Sequence, residues 1–225
     1  MQKRRVTFYI DGFNFYYGLK RSMKVEKKWG NAYWIDLVRL CEGFISPDET
    51  LEKVIYFTAS PLSNLKNARQ GAFLNANKVL NGSRFEVIRG KYLEKHITCP
   101  ACGYDISRPE EKKTDVNICM RMVQDCIHNT TDVAVLVSAD SDLIPPLELI
   151  RAEFSEKKLR VCFPPSNYSH DTANTLSAWG LKAVLMKKNY KRFENAIMPD
   201  TVGTAPSIIT IPPEWKAKQT KPAVS

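Results

Sequence analysis

Three acidic residues follow two short apolar runs of the sequence, where their carboxylates could do chemistry. Asp11 follows residues 6–10, and Asp140 and Asp142 follow residues 133–137. Both runs are rich in β-branched or aromatic residues and too short for helices, which predicts strands buried on both faces of a parallel sheet. Open α/β sheets bind ligands at the C-terminal edge of such strands. A structural role is the alternative, because Asp often ends strands and caps helices.

A fourth carboxylate, Asp115, lies in the first turn of a predicted helix that leads directly into residues 133–137. Gly12 permits a sharp turn after the first strand, and Asn14 is placed to cap the next helix. Carboxylates that converge repel one another, so they splay apart or take up protons unless a divalent cation lies among them. Oxygen ligands without a nearby Cys or His favour Mg²⁺ or Mn²⁺. The pattern therefore predicts an acidic metal site.

Strands and helices alternate along the chain and determine where these residues lie. Besides the two strands above, strands are predicted at residues 52–58, 85–89, 159–163 and 182–186. Helices are predicted at residues 14–19, 33–44, 61–80, 114–127, 144–154 and 169–177. Right-handed crossovers wind such an order into a mostly parallel central sheet, so the fold class is α/β.

The 225 residues suffice for one sizeable domain with a full core. We assign residues 1–195 to this domain, with a cysteine-containing insertion at about residues 91–113. From residue 196 to residue 225 the composition shifts to Pro, Thr, Ser and Lys, which predicts a flexible tail. No stretch approaches the ~18 apolar residues of a membrane span.

The formal net charge of +9 predicts a polyanionic partner, nucleic acid before membrane. Basic residues cluster after the first strand, beside Trp29, Tyr33 and Trp34. Exposed aromatics next to cations would stack on bases while the cations bind phosphates, whereas buried aromatics would belong to the core. The candidate nucleic-acid-binding residues are Lys20, Arg21, Lys24, Lys27, Lys28 and Lys113.

Cys99 and Cys102 form a Cys-Pro-Ala-Cys-Gly segment that resembles one knuckle of a zinc ribbon. The sequence has no second Cys-x-x-Cys pair, so a structural zinc would need His96 and a further ligand, such as a remote residue, water or another subunit. A metal-free turn and a redox-sensitive thiol pair are the alternatives. The other cysteines are solitary, and the N-terminus has no apolar signal region, so we expect a reduced, cytoplasmic protein.

Three segments together resemble the signature segments of the NYN domain, a family of the PIN-like nucleases. They are Tyr-Ile-Asp-Gly-Phe-Asn-Phe at 9–15, Lys-Thr-Asp-Val-Asn at 113–117 and Ser-Ala-Asp-Ser-Asp-Leu at 138–143. The resemblance spans roughly residues 5–186. It implies a three-layer α/β/α fold and Mg²⁺- or Mn²⁺-dependent endoribonuclease activity. By this match the metal would be held by Asp11, Asp115, Asp140 and Asp142, with Asn14 beside it in the catalytic site.

A basic protein with such an acidic cluster suggests hydrolysis of phosphodiester bonds, since a bound cation lowers the pKa of water and stabilises charge on the leaving oxygen. We expect RNA as substrate before DNA. A nucleic-acid-binding or scaffold module with the same fold and little or no catalysis is the alternative. The oligomeric state is open, and a homodimer is compatible with the sequence.

Two other classes of enzyme fit the sequence poorly. Phosphatases of the haloacid-dehalogenase type place a second Asp two residues after the nucleophile, but Phe13 occupies that position after Asp11. Nucleotide-driven enzymes use a Gly-rich phosphate loop that ends in Gly-Lys-Ser/Thr, and the sequence has no such loop.

Overall fold

A computed structural model of the protein describes residues 3–218, apart from the side chains of residues 93–96 and 106–111. The strands are β1 (Arg4–Asp11), β2 (Glu49–Thr58), β3 (Phe85–Arg89), β4 (Lys91–Thr98), β5 (Asp105–Lys112), β6 (Val133–Val137), β7 (Lys158–Phe163), β8 (Val184–Leu185), β9 (Thr201–Val202) and β10 (Ile209–Thr210). The helices are α1 (Gly12–Val25), α2 (Leu37–Glu42), α3 (Asn64–Asn81), α4 (Thr114–Ile127), α5 (Ile144–Glu153), α6 (His170–Ala178), α7 (Tyr190–Asn195) and α8 (Pro213–Lys216).

Six strands form the central sheet in the order β3-β2-β1-β6-β7-β8, and every neighbouring pair is parallel. The mostly parallel sheet expected from the sequence is thus confirmed. β1 and β6 are neighbours in the middle of the sheet, with Ile10 opposite Val137. Because both strands run in the same direction, the residues that follow them, Asp11 and Ser138, come out at the same edge.

Helices cover both faces of the sheet. Successive side chains of a strand point to opposite faces, so the apolar strands have apolar side chains to bury on each side. Phe8 and Ile10 belong to the core cluster under α1, α2 and α3. Tyr9 belongs to the second cluster, which is built with residues of α4, α5 and α6. The molecule is therefore a three-layer α/β/α domain with a core on each side of the sheet.

The segment between α1 and α2 differs from the helix predicted at residues 33–44. Only Leu37–Glu42 is α-helical, because Asp36 caps α2 through the N–H groups of Val38 and Arg39. Lys27–Tyr33 forms a 3₁₀ helix instead. Such short turns occur where side-chain packing sets the path of the chain.

The three aromatics in this segment are core residues. Trp29, Tyr33 and Trp34 are at most 3% exposed. The proposal that they stack on bases beside the cations is therefore wrong, since a buried ring has no free face for a ligand. The core alternative is correct.

The predicted insertion forms a separate antiparallel hairpin. β4 and β5 pair from Lys91 with Lys112 to Thr98 with Asp105, and they form a two-stranded sheet of their own. The turn between them contains Cys99 and Cys102. The hairpin joins β3 to α4, so it ends directly before the helix that holds Asp115.

The C-terminal segment is not the flexible tail that its composition predicted, at least as far as residue 218. Met198, Val202, Ile211 and Trp215 are all buried. The Trp215 ring stacks on Tyr33 with centroids 5.9 Å apart. Composition failed here because a few apolar residues spaced along a Pro-rich segment suffice to fix it on a core. Residues 219–225 lie outside the described part of the structure.

We predict that Trp215→Ala lowers the free energy of unfolding by about 3 kcal/mol, because it removes a large ring from a packed site. Ile208→Ala is the matched control, since Ile208 lies in the same segment but is 56% exposed. Urea unfolding of both variants measures the difference. Equal midpoints for Trp215→Ala and the wild type would mean that the segment is not docked.

Candidate metal centre

Asp11 is the most buried of the four candidate carboxylates. It is the last residue of β1 and the N-cap of α1, and it is only 4% exposed. One oxygen, Oδ1, accepts hydrogen bonds from the backbone N–H groups of Phe13 and Asn14, at 3.1 and 3.0 Å. The other oxygen, Oδ2, accepts from the Ser138 hydroxyl at 2.9 Å. Asp11 thus caps α1 and is at the same time a candidate metal ligand.

A sharp turn after β1 requires Gly12. A Cβ atom at this position would lie 2.5 Å from the carbonyl oxygen of Phe57 and 2.6 Å from the ring of Tyr56. The Tyr56 hydroxyl donates to the Gly12 carbonyl at 3.2 Å. Only glycine permits this approach, which brings the start of α1 against β2.

Asn14 connects three segments of the site. Its side-chain oxygen accepts from the backbone N–H of Ala139 at 3.2 Å and from the Asn167 amide at 2.6 Å. The Asn167 amide also donates to the Asn14 carbonyl at 2.7 Å. These bonds join α1, the loop after β6 and the loop after β7. Asn14 therefore positions the acidic loops, and nothing in its bonding makes it a proton donor or base.

Asp140 and Asp115 complete an acidic group with Asp11. One carboxylate oxygen from each of the three residues lies within 4.8 Å of the other two. Asp140 caps the short 3₁₀ turn Ser141–Leu143, and Asp115 lies in the first turn of α4. A cavity of about 440 Å³ opens onto these carboxylates.

Burial raises the pKa of Asp11, and the nearby negative charge of Asp140 raises it further, while the hydrogen bonds from Asn14, Ser138 and Phe13 lower it. A carboxyl whose pKa is raised in the folded state stabilises the fold below its ordinary pKa. That stabilisation is lost as the pH rises through the raised value. At neutral pH an ionised Asp11 is therefore unfavourable unless a positive charge compensates it.

The residues fit a divalent cation. The donor set consists of carboxylate oxygens, which Mg²⁺ and Mn²⁺ prefer, and no Cys or His belongs to the group. Asp11, Asp115 and Asp140 would hold the ion, and the buried charge of Asp11 supplies a physical reason for it.

Asp142 is not among the three residues whose oxygens converge. Its side chain is exposed, and its backbone N–H donates to the Asp140 carboxylate at 3.0 Å. Asp142 thereby holds Asp140 through the main chain. Its predicted role as a metal ligand stays a prediction.

The six candidate nucleic-acid-binding residues are all exposed. Arg21 lines the acidic cavity and donates to the side-chain oxygen of Asn167. Lys20 lines a neighbouring, larger cleft. Lys28 is paired with Glu26 at 2.8 Å and lies 4.7 Å from the centre of the Tyr190 ring.

The other three candidates lie outside both cavities. Lys24 belongs to the last turn of α1, and Lys27 begins the following 3₁₀ helix. Lys113 precedes α4 and has a positive φ of 77°. Arg21 is thus the candidate that lines the acidic cavity, and Lys20 is the candidate that lines the neighbouring cleft.

Ser138 and Asn167 also belong to this edge of the sheet, although neither was among the predicted site residues. Ser138 ties Asp11 to Asp140, because its hydroxyl donates to Asp11 and accepts from the Asp140 N–H at 3.1 Å. Its position, directly after a buried strand, was the available signal. Asn167 follows β7, the neighbour of β6, so parallel topology alone indicated that its loop lies at the same edge.

Cys99 and Cys102 lie together in the turn of the hairpin. The backbone N–H groups of Ala101 and Cys102 and the side chain of Cys102 lower the pKa of the Cys99 thiol, which favours the thiolate that binds metals. The side chain of His96 lies outside the described part of the structure. Two thiols are half of a tetrahedral zinc site, so zinc binding stays a prediction.

We predict that protein purified without added metal contains about one zinc per Cys99/Cys102 pair or per two pairs, and that Cys102→Ser loses it. Elemental analysis is the measurement. Zinc content near zero in the wild-type protein would leave the turn as a plain reverse turn.

The fold and this acidic edge define a class of α/β proteins with a carboxylate metal centre. The model of the NYN domain matches residues 5–176. The chain belongs to the NYN domain family, which indicates a PIN-like nuclease. Membership also agrees with a nucleic-acid substrate. Among the helices of residues 3–218, none combines the length and apolarity needed to cross a membrane.

A curated relative from Pseudomonas putida is 31% identical over 205 residues, and it is named 6-hydroxy-3-succinoylpyridine 3-monooxygenase HspA. The match covers 76% of this chain and 62% of the relative, so this chain spans less than two thirds of that protein. A solved structure of a protein of unknown function from Vibrio parahaemolyticus superimposes with a TM-score of 0.50 and 18% identity. That match covers 77% of this chain and 89% of the other, and it shows the fold alone.

We predict that Asp140→Asn raises the stability of the metal-free protein by about 1 kcal/mol, because it removes one of three mutually repelling charges. Asparagine caps a turn about as well as aspartate, so a pure capping role predicts no gain. In millimolar Mg²⁺ the wild type should gain stability by binding the ion, and the variant should gain less.

Thermal unfolding in EDTA and in Mg²⁺ tests this. Asp171→Asn is the matched control, because Asp171 is an exposed carboxylate in the first turn of α6, outside the acidic group. If Asp140→Asn and Asp171→Asn show the same Mg²⁺-induced shift as the wild type, Asp140 does not bind the ion.

Proposed function

We propose that the protein is a Mg²⁺- or Mn²⁺-dependent endoribonuclease that hydrolyses phosphodiester bonds at the acidic group. The observation that supports this most is the convergence of Asp11, Asp115 and Asp140 at the C-terminal edge of the sheet. Family membership and the net charge of +9 support a nucleic-acid substrate. RNA is proposed before DNA, as the sequence led us to expect.

The three carboxylates would hold the divalent ion, which supplies Lewis acidity and a water of lowered pKa when it is bound. Asp11 is fixed by three hydrogen bonds, so its oxygens do not need to reorganise when an ion binds. Ser138 keeps Asp140 in line with Asp11. Preorganised ligands of this kind lower the cost of assembling a charged site during the reaction.

Arg21 is the cation best placed to receive a substrate phosphate. It lies in the lining of the acidic cavity, and its guanidinium donates a hydrogen bond to the side-chain oxygen of Asn167. Arginine binds phosphates through two parallel hydrogen bonds, which orients them as well as neutralising them. Arg21 would thus hold the phosphate of an incoming strand against the carboxylates.

A second candidate activity comes from the curated relative. Its name states that it acts on a substituted pyridine, and it is 31% identical to this chain over most of the chain's length. The aromatic lining of the cleft beside the acidic group would accept a planar ring. Conversion of 6-hydroxy-3-succinoylpyridine by the purified protein would support this activity over the nuclease.

Homodimer formation and a cytoplasmic location stay predictions.

Cleavage of labelled RNA should require Mg²⁺ or Mn²⁺ and stop in EDTA. Asp11→Asn, Asp115→Asn and Asp140→Asn should each lower the rate by about 100-fold or more, because metal stabilisation of the reaction amounts to several kcal/mol. Asp171→Asn is the control and should cleave normally. A panel of RNA and DNA strands, assayed with each metal, measures the preference. Undiminished cleavage in EDTA or in the three variants contradicts the proposal.

A further inference from the structure

A large cleft lies directly beside the acidic cavity and is not accounted for by metal binding. Its volume is about 620 Å³, within the range of pockets that hold small ligands. Phe13, Tyr17 and Tyr92 line both spaces, so they form a shared wall. The rings of Phe13 and Tyr92 meet edge to face, with centroids 6.0 Å apart. A ligand in the cleft is therefore adjacent to one at the carboxylates.

Nine of the 21 residues that line the cleft are aromatic, and several of these rings are packed in the core. Phe73 packs edge to face against both Tyr56 and Trp215, at centroid distances of 6.1 and 6.0 Å. All three rings are at most 7% exposed. Trp215 belongs to the C-terminal segment, so the docking of that segment completes the cleft. These buried rings fix the shape of the cleft, so direct stacking on a ligand needs a more exposed ring.

Tyr17 differs from these rings because it is 46% exposed. It lies on α1, in the wall between the cleft and the acidic cavity, and packs edge to face on Tyr16 at 5.5 Å. The Lys20 ammonium lies 5.9 Å from the centre of the Tyr17 ring, and the exposed part of the ring gives a planar ligand a surface on which to stack beside a cation. Tyr17 is thus the residue of the cleft best placed to contact a ligand directly.

The rim of the cleft is positively charged. Lys20, Lys66 and Lys218 line it and are exposed. Within the described side chains, neither Lys20 nor Lys66 forms an ion pair. Arg69, which also lines the cleft, is paired with Glu214 at 3.0 Å. Three lysines around one opening carry more positive charge than the single carboxylate of a small acid would neutralise. Successive phosphates of a nucleic-acid strand would match this charge better.

We propose that the cleft binds one unpaired base of a single-stranded RNA while the neighbouring phosphate lies at the acidic group. This inference rests on the proposed nuclease function and specifies its substrate as unpaired RNA. Bases that are not stacked in a helix are recognised by stacking on aromatic side chains, with cations on the backbone. A base that remains paired in a duplex cannot enter the cleft, so cleavage falls in loops and single strands.

The test separates base capture from cleavage. Single-stranded RNA carrying one 2-aminopurine is titrated in EDTA into protein with Asp140→Asn, so that nothing is cut. Insertion of the base beside Tyr17 should change its fluorescence. Tyr17→Ala should weaken binding by about 5- to 100-fold, the effect of losing one base-stacking contact. Tyr17→Phe retains the ring and should retain most of the binding.

Two controls accompany the titration. Tyr104→Ala removes a tyrosine that is 68% exposed but lines neither cavity, so it should bind like the parent protein. The same 2-aminopurine strand annealed to its complement should give no fluorescence change. Lys66→Ala should weaken binding of the single strand more than Lys78→Ala, a change on the same helix away from the cleft.

The outcomes distinguish this inference from the proposed function. If the wild type binds the base but does not cleave RNA, the base-binding cleft is supported and the proposed nuclease activity is contradicted. Cleavage that is equally fast on duplex and single strand, and equally fast in Tyr17→Ala, retains the nuclease and overturns the inference. Binding of 6-hydroxy-3-succinoylpyridine in the cleft, with no binding of the oligonucleotide, overturns it as well.

Discussion

The mutual repulsion of three carboxylates is the constraint on which the rest of the structure depends. Asp11, Asp115 and Asp140 approach one another within 4.8 Å, and Asp11 is almost fully buried. Charges in such an arrangement separate or take up protons unless the surrounding structure holds them and a cation compensates them. Each carboxylate is accordingly placed by an element with little freedom: the end of a central strand, a helix start and a capped turn. The proposed metal site would account for this arrangement, and the sheet fixes the positions of the carboxylates.

Hydrogen bonds connect the loops at this edge of the sheet to one another. Ser138 joins the strand ends of β1 and β6, and Asn14 with Asn167 extends the connection to the loop after β7. A parallel sheet makes this possible, because all its strands deliver their loops to the same side. The cleft beside the acids depends on a different set of contacts, among which the docking of Trp215 is the most remote in sequence. The acidic group and the cleft thus depend largely on different contacts, although Phe13, Tyr17 and Tyr92 line both cavities.

Much of this arrangement could be predicted from the sequence. Short β-branched runs such as residues 133–137 and helices with an apolar stripe gave the α/β fold, since both periodicities are local properties. Asp11 and Asp140 were identifiable because each lies where a buried strand ends. Asp142 was included for the same reason; it lies two residues after Asp140, within the 3₁₀ turn, and is exposed.

The features that could not be predicted from the sequence depend on tertiary packing. Whether Trp29 and Trp34 face solvent or the core depends on what covers them, and residues near the C-terminus do so: Trp34 donates to the carbonyl of Pro199 at 2.8 Å and packs against Trp215. The docking of residues 198–216 was hidden by their proline content for the same reason. Ser138 and Asn167 have only their positions after strands as a signal, since their roles exist only once the strands are neighbours.

Diffraction from crystals soaked in Mn²⁺, with data collected for the anomalous signal of manganese, tests the central claim most directly. The account predicts one strong peak within about 2.3 Å of carboxylate oxygens from Asp11, Asp115 and Asp140, and its loss in Asp140→Asn. The absence of a peak among these three carboxylates at saturating Mn²⁺ would contradict the account.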